Sequence, residues 1–152
     1  INRGISGDVA MGIYDRLHQI LPGKPKQIFL LIGVNDISHD LSTDSIVNMI
    51  EKNVTRIQRE SPETKLYLQS LLPIDESFNR YKKLTNKTYQ IPEINDRLKA
   101  LAKEKKIDFI DLYPLFTEKG TNVLKKELTY DGLHLKEEGY KIWVDAIKKK
   151  MK

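Results

Sequence analysis

The 152-residue chain contains no cysteine, which removes disulfides, thiolate metal sites and a cysteine nucleophile from consideration and leaves the compartment open. Periplasmic or secreted placement is weighed slightly above cytoplasmic. No apolar run approaches the ~20 residues needed to cross a bilayer, so no membrane partner is expected. Histidine is scarce, with three residues (His18, His39 and His134), none at close ligand spacing and none beside a carboxylate cluster; no metal site and no cofactor are expected. Internal repeats and low-complexity stretches are also missing. The remainder is ordinary for a single globular domain, with 39% hydrophobic and 31% charged residues.

The net charge is +5. Much of it sits in Lys148-Lys149-Lys150-Met151-Lys152 and in Lys103-Glu104-Lys105-Lys106. Such clusters suit an anionic partner or simply solvated helix ends, where cations complement the macrodipole. No aromatic residues interleave with them, and no nucleic-acid partner is expected.

The hydrophobic pattern alternates between helix and strand. Val9, Ile13, Leu17, Ile20 and Leu21 share a helical face, with Asp8 as a candidate cap and Pro22-Gly23-Lys24-Pro25 as the stop. Ile28 to Ile32 is a continuous apolar run, as in a strand covered on both faces. Ile46, Ile50, Val54 and Ile57 mark a helix capped near Ser42 or Thr43. Leu66 to Leu72 reads as a strand, Ile94 to Ala102 as a helix with Pro92 in its first turn, and Ile107 to Leu112 as a short strand. Tyr140, Trp143, Val144, Ile147 and Met151 form a last helix. Strands separated by helices of this length pair in parallel through crossovers. The expected fold is a three-layer α/β sandwich, with its functional site outside the carboxyl ends of the strands.

Three short stretches fall at that rim, the one at Ile5 to Asp8 on the expectation that residues 1–4 end a strand. In Asp131-Gly132-Leu133-His134, a carboxylate can orient an imidazole that takes a proton from a hydroxyl nucleophile; the same residues also suit a turn with a satisfied surface histidine. In Gly33-Val34-Asn35-Asp36, the Asn35 amide can donate to a developing oxyanion or stabilise an Asx turn. In Ile5-Ser6-Gly7-Asp8, Gly7 lets an oxygen approach the backbone N–H or makes a tight turn into a helix.

Together these stretches resemble the SGNH hydrolases, the GDSL family of esterases and lipases. Asn2-Arg3-Gly4-Ile5-Ser6-Gly7-Asp8 is similar to the family's second block, Gly33-Val34-Asn35-Asp36 to the third, and Asp131-Gly132-Leu133-His134 to the last. The resemblance implies a flavodoxin-like fold and an oxyanion hole made by Gly7 and Asn35. It implies catalytic Asp131 and His134, and a small ester or O-acetylated carbohydrate as substrate. The family's first block, Gly-Asp-Ser, carries the nucleophile and ends the first strand, and it does not occur here. Gly4-Ile5-Ser6-Gly7-Asp8 only half resembles a Gly-x-Ser-x-Gly elbow, and Ser38, Ser42 and Ser70 sit in loop, cap and strand positions. The expectation is a single SGNH domain over 1–152 that is N-terminally incomplete, with the nucleophile upstream and the fragment alone inactive. In the family the first strand lies between the second and third, so its loss implies a slot with unpaired backbone on both sides, filled by that segment, a tag or a second copy in a homo-oligomer. The alternative is a carbohydrate-binding module on the same fold. Tyr81, Tyr89 and Tyr130 are candidates to line a sugar site.

Overall fold

The computed structural model describes residues 1–151. Three parallel strands form its sheet: β1 (Gln27–Leu30), β2 (Lys65–Gln69) and β3 (Asp108–Ile110), in the order β1-β2-β3. Ile28 pairs with Leu66, Phe29 with Tyr67, and Leu68 with Phe109. Around them lie α1 (Ala10–Arg16), α2 (Val34–Ser38), α3 (Thr43–Glu60), α4 (Gln90–Glu104), α5 (Tyr113–Phe116) and α6 (Glu137–Met151).

Alternation along the strands builds the layers. Leu66 and Leu68 join a core with Ala10 of α1, Ile46, Ile50, Val54 and Ile57 of α3, and Ile94 and Leu98 of α4. Tyr67, one residue out of phase, faces the other way, stacks on Phe29 with ring centroids 4.5 Å apart, and belongs to a second core covered by α6. Both sheet faces are therefore covered, as the unbroken apolar run at Ile28 requires.

The long helices follow their sequence signals. Ser42 caps α3 by accepting from the Ser45 N–H at 3.2 Å. Pro92 stands in the first turn of α4, where its missing donor costs nothing. Asn95 on α4 extends the sheet chemistry past β2: its Oδ1 accepts from the Leu71 N–H at 2.7 Å and its Nδ2 donates to the Leu71 carbonyl at 3.0 Å.

Four expectations need correction. The first helix stops at Arg16 and continues as 3-10 turns at Leu17–Gln19 and Leu21–Gly23, although Leu17 and Leu21 are buried as expected. Residues 1–4 form no strand, and Ile1 and Ile5 are exposed. Among the described residues the three strands are adjacent, with no two-sided slot between them, and the sheet ends at the outer edges of β1 and β3. The face of α6 that meets the second core comprises Ile142, Trp143, Ala146 and Ile147, while Tyr140, Val144 and Met151 stand exposed. Lys148, Lys149 and Lys150 occupy the last turn of α6, where the helix carbonyls point; Lys152 lies outside the described residues.

Candidate active site

The turn that holds Gly7 is closed by the Asp8 N–H donating to the Ile5 carbonyl at 3.2 Å, with Ser6 and Gly7 at its centre. Gly7 has φ +75°, the left-handed value that the third position of a type II turn demands. Asp8 does not cap α1. Its carboxylate forms an ion pair with Arg16, two turns on, and its Oδ1 accepts only from the adjacent Val9 N–H at 3.0 Å. Arg16 also donates to the Arg3 carbonyl at 2.6 Å, so one guanidinium ties down the segment before the helix.

The cap comes from 26 residues away. The Ala10 N–H, the first of α1, donates to both carboxylate oxygens of Asp36, at 3.1 and 3.2 Å. Asp36 is 1% exposed, and its burial pushes the carboxyl above the usual range, opposed by the bond from Ala10. Beside it, the Asn35 Nδ2 donates to the Asp8 carbonyl at 2.8 Å. An amide nitrogen carries two hydrogens, so one remains for another acceptor. Gly33 to Asp36 is thus not an Asx turn: residues 34–38 form the short helix α2 just beyond β1.

The second half of the site is the loop before α6. Asp131 Oδ1 accepts from the N–H groups of Leu133 (3.0 Å) and His134 (2.8 Å), and Oδ2 accepts from His134 Nδ1 (2.8 Å) and the Tyr81 hydroxyl (2.6 Å). Partial burial pushes the Asp131 pKa up, but the four bonds outweigh it and hold the carboxyl well below the ordinary range. The Asp131 side chain is 16% exposed and that of His134 64%. Nε2 of His134 has no hydrogen bond among the described residues.

Two contacts lock this loop. Buried Thr129 accepts from the Gly132 N–H at 2.9 Å and donates to the His134 carbonyl at 2.7 Å. Gly132 has φ +89°, and a Cβ there would lie 2.3 Å from the Asp75 carbonyl, so only glycine lets the loop seat against the segment that follows β2. The Asp75 N–H closes that contact on the Gly132 carbonyl at 2.9 Å.

The structure therefore joins Gly7 to Asn35 through Asp8, and joins Asp131 to His134 directly. Sequence reasoning missed Asp36 as the distant cap and Tyr81 as a partner of Asp131 and His134. Neither has a local signal, since each acts across 26 or more residues. Tyr89 and Tyr130 are exposed. His18 Nδ1 and His39 Nδ1 bond only to backbone carbonyls, of Asp15 and Asn35. Among the described residues no three His, Cys, Asp or Glu side chains gather as a metal site. Among the described residues no serine hydroxyl bonds to His134: Ser38 donates to the Asn35 carbonyl, and Ser70, fully buried, accepts from the N–H groups of Leu112 and Tyr113.

A family model, the GDSL-like lipase/acylhydrolase family, matches residues 1–142, and the chain belongs to that family. A GDSL-like lipase from Bacteroides thetaiotaomicron VPI-5482 has a similar structure, with a TM-score of 0.88 and 26% identity over 99% of this chain and 74% of that one. An acetylxylan esterase from Geobacillus stearothermophilus, 19% identical over 98% of this chain and 70% of its own, shares the fold with a TM-score of 0.79. The N-acylneuraminate cytidylyltransferase of Escherichia coli O18:K1:H7 (strain RS218 / NMEC) is 26% identical over 96% of this chain. The chain spans 33% of that protein's length.

Proposed function

We propose that the intact protein is a serine esterase that removes small acyl groups, O-acetyl groups of carbohydrates in particular, and that its nucleophilic serine lies outside residues 1–152. The reading rests on one observation above the others: Asp131 holds Nδ1 of His134 at 2.8 Å while Nε2 is left open. An imidazole so held presents a basic nitrogen to a hydroxyl. The serine Oγ attacks the ester carbonyl as its proton passes to Nε2. The Gly7 N–H and the second hydrogen of Asn35 Nδ2 receive the charge on the carbonyl oxygen. The tetrahedral intermediate collapses, His134 returns the proton to the departing alkoxide, and the acyl group stays on serine. Water, deprotonated by the same Nε2, then releases the carboxylic acid and restores the serine. No cofactor enters these steps.

Similar proteins that act on sugars support the carbohydrate preference. The Geobacillus protein is an acetylxylan esterase, and the E. coli protein acts on N-acylneuraminate, itself a sugar. The test is a serine-directed phosphonate followed by intact mass. We expect one adduct on a serine of the intact protein beyond these 152 residues, and loss of p-nitrophenyl acetate turnover with it. No adduct anywhere would favour a carbohydrate-binding module on the same fold. An adduct on Ser6 would move the nucleophile into the turn assigned here to the oxyanion hole.

A further inference from the structure

Tyr81, outside the family motifs, sets its hydroxyl against the side chains of both Asp131 and His134, whereas Thr129 meets only their backbone. The Tyr81 hydroxyl lies 2.6 Å from Asp131 Oδ2 and 2.9 Å from His134 Nδ1. Its ring meets the imidazole edge-on, with centroids 5.7 Å apart. We propose that Tyr81 is a positioning residue, whose hydroxyl fixes His134 in the tautomer with hydrogen on Nδ1 and a bare Nε2. The inference rests on the esterase reading of the same pair.

The argument is one of hydrogen counting. An ionised carboxylate only accepts, so the single phenol hydrogen goes to Asp131 Oδ2. The phenol oxygen then faces Nδ1 as a second acceptor. A bare Nδ1 would confront two oxygens with no hydrogen between them; a protonated Nδ1 satisfies both. Without the phenol, only one acceptor holds an imidazole whose side chain is 64% exposed, and water can compete for it. The phenol keeps its hydrogen: its partly buried position, the bond to Asp131 and the charge of Asp131 all raise its pKa, with Arg80 a smaller opposing influence.

The segment carrying Tyr81 is built to deliver it. Glu76 accepts from the Asn86 N–H at 2.8 Å and from the Thr88 hydroxyl, closing the loop at its base. Leu84 is buried in the main core, and Lys87 pairs with Asp40 beyond α2. The loop that carries Tyr81 is thus held at its base, to the core and to Asp40.

The experiment uses the intact protein with 15N-labelled histidine, His134 being assigned by the signal lost in His134→Gln. Above the titration of the ring, the wild type should show a bare Nε2 and a protonated Nδ1. Tyr81→Phe should move the two nitrogen shifts toward each other as both tautomers become populated. It should lower kcat about tenfold, the order expected for loss of orientation, with KM within about twofold. Glu76→Ala, which frees the loop but keeps the hydroxyl, should move the shifts in the same direction by less. Unchanged shifts in Tyr81→Phe would overturn the inference. A shift with Glu76→Ala but none with Tyr81→Phe would overturn it too, since the loop and not the hydroxyl would then hold the ring. Changed shifts with unchanged kcat would overturn the part of the inference that ties the tautomer to turnover, whereas an intact wild-type protein with no ester turnover would overturn the esterase reading and leave the shifts to test the hold on the ring.

Discussion

Replacing Asn35 with alanine removes one side-chain amide with two separable duties. Its bond to the Asp8 carbonyl, at 2.8 Å, is half-buried and ordinary, so its loss should cost about 1 kcal/mol of stability. For a domain of 152 residues that is a fall in Tm of roughly 2–4 °C. The other hydrogen is assigned to the oxyanion, and losing one such donor costs about 2.7–4 kcal/mol at the transition state, or about 10²–10³ in kcat. The two effects differ several-fold in energy, so melting curves and p-nitrophenyl acetate kinetics on the same samples separate them. Ser42→Ala is the matched control. It removes a cap bond of 3.2 Å on α3, should also cost about 1 kcal/mol, and should leave kcat alone. KM should change little in either variant, because the donor acts on charge that develops during reaction. An Asn35→Ala protein that melts a few degrees early with the kcat of Ser42→Ala would refute the oxyanion assignment and leave Asn35 a fastener for Asp8.

The remaining expectations concern the pair, the pH range and the core. His134→Ala in the intact protein should abolish turnover and leave the Tm nearly unchanged, since the ring is largely exposed; retained turnover would dismiss it as the base. Asp131 is held below its ordinary pKa, so it stabilises the fold fully above the unfolded-state value of about 3.9 and loses that contribution as pH falls through the lower folded value. Denaturant titrations should accordingly show the advantage of wild type over Asp131→Asn shrinking below about pH 4, and an advantage that grows toward acid would reverse the sign. Asn95→Leu strands both the N–H and C=O of Leu71 and should cost about 2–4 kcal/mol, read as a lower denaturation midpoint with an unchanged slope.

Much of this architecture was legible because its signals are local. Apolar runs located the three strands and apolar periodicity the helices α3, α4 and α6, while Ser42 and Pro92 marked the starts of α3 and α4. The five-residue helix Val34–Ser38 was not legible, because one turn is too short to show a 3.6-residue period. Asp8 looked like a cap by position, yet Arg16 takes its carboxylate and Asp36 does the capping from another segment. The Asp131–His134 contact could be anticipated from three-residue spacing within one loop. The Tyr81 contact could not: 50 residues separate it from Asp131, and the sequence offered Tyr81 only as a candidate to line a sugar site.

The two partners of Ala10 bear on the order in which the molecule assembles. Its N–H is met by Asp36, and its carbonyl by Asn53 Nδ2 at 2.8 Å. A helix of seven residues is far below the length that persists alone in water. α1 therefore has no reason to form until α2 and α3 are in place to receive it. It should close late in folding and open early under mild denaturant, as a unit separate from the sheet. Hydrogen exchange at the Ala10 amide would then run ahead of that at Leu68. Each such excursion withdraws the Gly7 turn while Asp131 and His134 stay assembled, so activity would fade at denaturant concentrations where the sheet is still intact.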